Sequence, residues 1–351
     1  MADETSQKKC RKTDCQVAVT GSCAEGHAPL ASCPNYGDQP AEQSNVYDGE
    51  LDAAAEGATP DVKRVSLPSG DALTPDEVDQ FLRWRAATFV TVVGDSHSGK
   101  TTLICALYER FLKATFAGLG FAGSRTLVAL ERRSHHARVD SGRATPETAR
   151  TSHLDGLRYF HFAVVPSGHP MKRADLLLSD RSGEVYRSAR NNSSVVGTLP
   201  EIPQADRIVL LLDGRRVADP IERAGAIQSV RQTLRVFLDN DALGPTSIVQ
   251  IVTTKIDLIA ASQDGQEIAD SLSAFRNRLT ADFAPRLKSL SFHDIAARDP
   301  TNGFAPAHGL DTLVKDWATP RPRYTPPAPP RLALHSEFDR LLARTPLEVC
   351  P

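Results

Sequence analysis

The stretch GDSHSGKT, Gly94 to Thr101, constrains this chain more than any other feature. Its spacing, G-x-x-x-x-G-K-T, lets backbone N–H groups surround phosphate oxygens, while the lysine contacts the outer phosphates and the hydroxyl binds Mg²⁺. The apolar, β-rich run 87–93 precedes it, and the residues after it have helical spacing at Leu103, Leu107 and Phe111. A strand, a glycine-rich loop and a helix therefore follow one another in the order that a phosphate loop requires.

The rest of the chain predicts alternating strands and helices. Apolar runs predict strands at 157–165, 174–179, 207–212, 247–253 and 289–295. Helical apolar faces lie between the later runs, and a helix is predicted near 309–318. This alternation predicts an α/β fold with three layers (αβα) and a mostly parallel sheet.

Composition divides the chain into four predicted segments. Residues 1–40 are rich in cysteine, and residues 41–73 have the small and polar composition of a linker. The phosphate-loop domain spans 74–318 and begins with a helix whose capping box is Thr74 and Glu77. Residues 319–351 form a proline-rich tail that ends in one amphipathic helix, within LALHSEFDRLLAR.

Further motifs follow other predicted strands. LLLSDRSGE places Asp180 where a carboxylate can support Mg²⁺, and it places Gly183 where an N–H can reach a terminal phosphate. IVQIVTTKIDLI places Lys255 and Asp257 after another strand. The Asp257 carboxylate can accept two hydrogen bonds from guanine, whereas adenine lacks that donor pair, so the pattern favours GTP over ATP.

A fourth, weaker motif is FHDIAARD, in which a small-residue loop can bring an N–H to guanine O6. The candidate nucleotide-binding residues are Gly94, Asp95, Ser96, His97, Ser98, Gly99, Lys100, Thr101, Thr102, Gly183, Thr254, Lys255, Asp257, Ala296 and Ala297.

With these motifs, residues 87 to 318 resemble GTPases of the translation-factor and Ras-like class. FAGSRTLVALERRSHHAR, TPETARTS and SDRSGE are more narrowly similar to bacterial double-GTPase type 2 domains. The resemblance implies the fold of P-loop NTPases, with GTP or GDP and Mg²⁺ as ligands. It also implies a switch component of a multi-gene conflict or defence system, which acts on an effector or operon partner.

Two positions depart from the pattern of this class. Thr254 stands where Asn is usual, although its hydroxyl can still tie the base-reading loop to the phosphate loop. Glu184 stands where Ras-like enzymes carry a water-orienting Gln, so Lys100 and Glu184 are the candidate catalytic residues and hydrolysis is expected to be slow without an activator. Arg181 could stabilise charge, but an exposed arginine in a turn is the favoured interpretation.

The interval from Gly94 to Asp180 is longer than a minimal GTPase needs, which predicts an insertion within 118–147. Thr101, Asp180 and a switch threonine are the expected Mg²⁺ ligands. Thr145, Thr148 and Thr151 are candidates for that threonine, and Thr151 is preferred because it lies nearest the next strand. Alternatively, HHARVDSGR is a solvated basic face and the switch lies elsewhere.

Four cysteines near the start, Cys10, Cys15, Cys23 and Cys33, are candidate Zn²⁺ ligands, with His27 as a further donor. Their spacing lacks a C-x₂-C pair, so free thiols are the alternative. Cys105 and Cys350 are not expected to join them.

The chain has 41 basic and 43 acidic residues, a formal charge of −2, and this near balance gives no clear nucleic-acid-binding feature. No apolar leader or membrane-length run is evident, so a cytoplasmic protein is expected. A guanine-nucleotide switch is the favoured function. The alternatives are an ATPase or nucleotide kinase with the same loop, and an interaction protein for which the nucleotide is a structural ligand.

Overall fold

The computed structural model describes residues 17, 28–32, 36, 68–135, 156–169, 171–298, 303–319, 336–337 and 341. The chain divides into two units, Met1–Val65 and Ser66–Pro351. In the first unit, Leu30–Ser32 form a 3-10 turn. Most of the proline-rich tail and its predicted helix lie outside the described residues.

The second unit contains seven strands and nine α-helices among its described residues. The strands are β1 (Thr88–Val93), β2 (Leu119–Gly123), β3 (Arg158–Pro166), β4 (Ala174–Asp180), β5 (Arg207–Asp213), β6 (Ile248–Thr254) and β7 (Ser289–Asp294). The helices are α1 (Pro75–Leu82), α2 (Lys100–Lys113), α3 (Leu127–His135), α4 (Gly183–Asn191), α5 (Gly214–Ala218), α6 (Arg223–Asp239), α7 (Ile256–Ala260), α8 (Gly265–Phe283) and α9 (Leu310–Trp317).

The strands form one sheet in the order β2-β3-β4-β1-β5-β6-β7. Pairing is parallel from β4 through β1, β5 and β6 to β7, and antiparallel on both sides of β3. Helices cover both faces of this sheet. The prediction of a mostly parallel three-layer α/β fold is therefore confirmed.

Alternating side chains of the central strands supply the two cores. In β5, Val209 and Leu211 face a core shared with α2, α3 and α9, whereas Ile208, Leu210 and Leu212 face a core shared with α4, α6 and α8. Such full burial on both faces is typical of a parallel strand.

The leading helix begins as its sequence predicts. The Thr74 hydroxyl accepts a hydrogen bond from the Glu77 N–H, and the Glu77 carboxylate accepts one from the Thr74 N–H, which completes the capping box. Just before it, Leu73 pairs with Tyr159 of β3 through two backbone hydrogen bonds of 2.9 Å. The described end of the predicted linker is therefore attached to the sheet.

The predicted insertion contributes an edge strand and a helix. Strand β2 pairs antiparallel with β3. Its sequence, LGFAG, did not predict a strand, because glycine is disfavoured within strands. The helix predicted within SRTLVALERRSHHAR is α3, which is described as far as His135.

Candidate nucleotide-binding site

Parallel pairing places the carboxyl ends of five strands at one edge of the sheet. The loops that follow β1, β4, β5, β6 and β7 begin at Gly94, Arg181, Gly214, Lys255 and Ile295. All four predicted motifs are among them. Ligands of open α/β sheets bind at this edge.

The phosphate loop turns sharply from β1 into α2. His97 and Gly99 have positive φ angles of 66° and 98°, and Gly99 is the N-cap of α2. Because glycine has no side chain, no side-chain hydrogen bond caps this helix. The N-terminus of α2 therefore points its backbone N–H groups and the positive end of its dipole at the loop, an arrangement that favours an anion.

Lys100 folds back over the loop. Its Nζ atom donates hydrogen bonds to the carbonyl oxygens of Gly94 and Asp95, both at 2.9 Å. Burial lowers the pKa of Lys100 to about 8, although the carboxylates of Asp180 and Asp95 act in the opposite direction. An anion beside this ammonium group would favour its charged form.

Asp180, the last residue of β4, and Gly183, the first residue of α4, contact the phosphate loop. Asp180 is fully buried, and its Oδ1 atom lies 3.5 Å from the Thr101 hydroxyl. Gly183 lies directly against the loop. A Cβ atom there would clash with Ser96 N and would lie only 2.5 Å from the carbonyl carbon of Asp95. Only glycine fits this approach without displacing backbone.

The base-reading loop is hydrogen-bonded to the phosphate loop. The Thr254 hydroxyl donates to the carbonyl oxygen of Ser98 at 2.9 Å, which is the tie between the two loops expected of a hydroxyl at this position. The Lys255 Nζ atom donates to the carbonyl oxygen of His97 at 2.7 Å. Asp257 lies two residues after Lys255, partly buried in α7.

Sequence reasoning missed Asp213, which supports this loop. Asp213 ends β5, is buried, and pairs with Lys255 at 2.9 Å. Its carboxylate also accepts a hydrogen bond from the Arg215 N–H at the start of α5. The signal was present in LLLDG, because an Asp that ends a hydrophobic strand repeats the pattern of Asp180.

Two arginines hold the side chain of Asp95. Arg190 of α4 pairs with Asp95 Oδ1 at 2.7 Å, and Arg216 of α5 pairs with Oδ2 at 3.2 Å. Asp95 is 8% and Arg190 10% exposed, so this ion pair is largely desolvated. The sequence predicted a role for Asp95 in binding a nucleotide, but no spacing rule indicated these partners.

The interpretation of Arg181 as an exposed arginine in a turn is wrong. Its side chain is 17% exposed and pairs with Glu201, which is fully buried, at 3.0 Å. Tyr186 donates a further hydrogen bond to the same carboxylate at 3.3 Å. Burial raises the pKa of Glu201, an effect that Arg181 opposes. Arg181 thus anchors the turn after β4 to the interior.

The remaining predicted residues have varied positions. Glu184 is half-buried in the first turn of α4. The Ala296 N–H donates to the carbonyl oxygen of His308 at 3.2 Å, whereas Ala297 packs against the core. Cys105 is a buried free thiol, and burial raises its pKa to about 12. Thr151 and the candidate zinc ligands Cys10, Cys15, Cys23 and Cys33 lie outside the described residues, so their roles stay predictions.

The donors of this site fit a phosphate group and a divalent ion. Lys100 and the uncapped helix N-terminus suit phosphate oxygens, and the buried Ser98 hydroxyl has no hydrogen-bond partner in the loop. Thr101 and Asp180 together offer the oxygen ligands that Mg²⁺ prefers. Within the described ranges, no cluster of three or more His, Cys, Asp or Glu side chains is arranged to hold a metal ion.

Comparison with known families settles the classification. The family model for double-GTPase 2 matches residues 88–318. The chain belongs to the double-GTPase 2 family. Membership supports GTP binding, with GTP or GDP and Mg²⁺ as the general ligands of such GTPase domains. None of the curated proteins matches the chain.

Solved structures of GTPases show distant likeness to this double-GTPase 2 protein. A signal recognition particle receptor SRb-GTP/SRX complex from Chaetomium thermophilum is 13% identical with a TM-score of 0.37, over 67% of this chain and 97% of that one. The GTP-bound Ski7 GTPase-like domain of S. cerevisiae is 13% identical with a TM-score of 0.38, over 70% and 53%. Elongation factor SelB of Methanococcus maripaludis is 15% identical with a TM-score of 0.35, over 66% and 34%.

These likenesses are too weak to support any conclusion about ligands or activity. The chain spans about half and one third of the Ski7 and SelB chains that it matches. In the described part of the chain, no helix is both long enough and apolar enough to cross a membrane.

Proposed function

We propose that this protein is a GTP-binding molecular switch that hydrolyses GTP slowly. The observation that carries the proposal is the pair of hydrogen bonds that join the base-reading loop to the phosphate loop, from Thr254 to Ser98 and from Lys255 to His97. A guanine base held at Asp257 and phosphates held at Lys100 would then belong to one bound nucleotide. The family assignment supports the same conclusion.

The residues would divide the work among base, phosphate and metal. Lys100 and the N-terminus of α2 would bind the phosphates, and Thr101 and Asp180 would hold Mg²⁺, which when bound neutralises phosphate charge. The N–H of Gly183 would sense the terminal phosphate, and Glu184 would act on the attacking water. Order in these loops with GTP, and relaxation after hydrolysis, is how such a switch would signal.

The proposed setting is the bacterial cytoplasm, in a conflict or defence system. The reader of the switch would be an effector or operon partner protein. An ATPase, a nucleotide kinase and a scaffold without turnover are the outcomes that a binding experiment must separate from this proposal.

Competition for a fluorescent guanine nucleotide, in Mg²⁺, tests the proposal. GTP and GDP should displace the probe at lower concentrations than ATP, because ATP leaves the Asp257 carboxylate unpaired at a cost of about 1–3 kcal/mol, roughly fivefold to 150-fold in affinity. Lys100→Ala should lose retention of the nucleotide. Asp257→Asn should shift preference toward xanthine nucleotides, whose C2 carbonyl accepts from an amide.

Phosphate release under single-turnover conditions tests hydrolysis separately. Equal competition by ATP and GTP, or unchanged GTP binding by Lys100→Ala, would overturn the assignment of the site. Tight GTP binding with no phosphate release would instead indicate a scaffold protein that binds GTP without hydrolysing it.

A further inference from the structure

The last turn of α3 brings a guanidinium group to the carboxylate that follows β4. Arg133 Nη2 lies 3.9 Å from Asp180 Oδ2, a distance for a charge pair rather than a hydrogen bond. The Arg133 side chain is 20% exposed and that of Asp180 is 1% exposed. Asp180 also contacts Thr101, and its negative charge partly offsets the lowering of the Lys100 pKa by burial. Arg133 therefore belongs to the same charged cluster as the phosphate loop.

Fixed contacts hold α3 in this position. Before its first turn, the Thr126 hydroxyl accepts a hydrogen bond of 3.0 Å from the N–H of His161 in β3. In its middle, Tyr108 of α2 donates to the Glu131 carboxylate at 3.0 Å, and Leu130 is fully buried. The helix that carries Arg133 is thus packed on the sheet and on α2. This packing fixes the position of the Arg133 backbone relative to Asp180.

We propose that Arg133 is a further residue of the nucleotide site, which contacts the terminal phosphate of GTP. This inference rests on the proposed function. Asp180 is one of the residues that would hold Mg²⁺, and a cation there would weaken the pairing of Asp180 with the Arg133 guanidinium by charge repulsion. Phosphate oxygens held at Lys100 would offer negative charge close to Asp180, and the planar donors of arginine match phosphate geometry.

With this contact, α3 would take part in the reaction at the nucleotide site. An arginine that reaches the transferred phosphate from within the same chain stabilises charge that develops in phosphoryl transfer. Other arginines at this edge are held by carboxylates of the protein, Arg181 by Glu201 and both Arg190 and Arg216 by Asp95. Arg133 is supplied by the segment that the sequence predicts to be an insertion.

Three variants on α3 test the proposal. Arg133→Ala removes the guanidinium, Arg133→Lys keeps the charge but loses the planar donors, and Arg132→Ala is the control. Arg132 is the adjacent residue, but it is 69% exposed and pairs with Asp71 at 2.6 Å. Affinities for GTP and GDP are measured on the full chain by displacement of a fluorescent guanine nucleotide, over a series of Mg²⁺ concentrations, with melting temperatures as a check on folding.

In Arg133→Ala, the ratio of GTP to GDP affinity should fall about tenfold or more, the effect of one charge-assisted hydrogen bond. Arg133→Lys should lie between that variant and the wild type, and Arg132→Ala should match the wild type. The Mg²⁺ concentration for half-maximal GDP retention should fall in Arg133→Ala, because a competing cation has left Asp180.

An unchanged GTP to GDP ratio in Arg133→Ala would overturn the proposal. So would an equal loss of both nucleotides, which indicates only a structural role, or the same loss in Arg132→Ala. Failure of the wild type to bind guanine nucleotides in preference to ATP is a different result, and it would overturn the proposed function itself.

Discussion

At the scale of single residues, the environment of Lys100 links the binding of an anion to the uptake of a proton. Its ammonium group is buried against the carbonyl oxygens of its own loop, and that burial lowers its pKa to about 8. Bound phosphate would raise the same pKa, since negative charge favours the protonated form. Binding must therefore take up a proton at any pH above about 8.

GTP affinity should accordingly fall as pH rises from 7 to 9, and above pH 8 the slope should approach tenfold per pH unit. Titration of a fluorescent GTP analogue across this range measures the effect. Lys100→Arg, whose guanidinium keeps its charge, should show a flatter profile and also controls for loss of a proton from the guanine ring. Parallel profiles for the two proteins would show that Lys100 does not titrate in this range.

At the scale of elements, α4 links the turn after β4 to the phosphate loop. Gly183 begins this helix and lies against the backbone of Asp95 and Ser96. Gly183→Ala should push the two loops apart and destabilise the protein by about 1–3 kcal/mol, with weaker binding of GTP. Urea unfolding and nucleotide titration measure the two effects.

Gly197→Ala is the matched control, because a Cβ atom there has no heavy atom within 4 Å. Its stability and affinity should match those of the wild type. Equal behaviour of the two variants would mean that the close approach of Gly183 has no energetic consequence.

The same helix carries Arg190, which pairs with Asp95 in a largely buried contact. Arg190→Ala should lower the free energy of unfolding by about 3 kcal/mol, because it removes one partner from a desolvated carboxylate. The loss stays near the low end of such values since Arg216 remains at 3.2 Å. Urea unfolding of the variant beside Arg286→Ala provides the check.

Arg286 pairs with Asp239 at the surface, where both side chains are about half exposed. Its replacement should cost no more than about 1 kcal/mol. If Arg190→Ala loses no more free energy of unfolding than Arg286→Ala, the contact with Asp95 does not stabilise the attachment of α4 to the phosphate loop.

Local patterns predicted the elements that have strong periodicity, and missed those whose reason lies elsewhere in the chain. Each predicted strand is present, and no strand end differs from its predicted position by more than one residue. Strand β2 has two glycines, and it pairs with the edge of β3 despite its weak local signal. Helices α5 and α7 have five residues each, too few to show a helical period in the sequence. The motifs likewise located the phosphate loop, whereas partners such as Arg190 and Asp213 required the fold to bring distant positions together.

At the scale of the whole molecule, β4 joins the parallel half of the sheet to its antiparallel half. Asp175, near its start, is buried and receives a hydrogen bond of 2.9 Å from His161 Nε2, because the other ring nitrogen accepts from the Arg125 N–H. Arg173 pairs with the same carboxylate at 2.6 Å. One carboxylate thus connects β4, through His161 of β3, with the segment that leads into α3.

Burial acts to raise the pKa of Asp175, but the hydrogen bonds from His161 and Arg173 outweigh it and lower that pKa to about 2, from 3.8. A depressed pKa contributes stability that is present above about pH 4 and is lost as pH falls toward 2. Wild-type protein should therefore lose more of its free energy of unfolding between pH 4 and pH 2 than Asp175→Asn, which should start from a lower value. Urea unfolding at pH 7, 4, 3 and 2 measures both curves, with Asp239→Asn as the exposed control that keeps the wild-type slope. Parallel curves for the wild type and Asp175→Asn would show that the pairing of this carboxylate with His161 and Arg173 does not stabilise the folded protein, because its protonation would then leave the folded state unaffected.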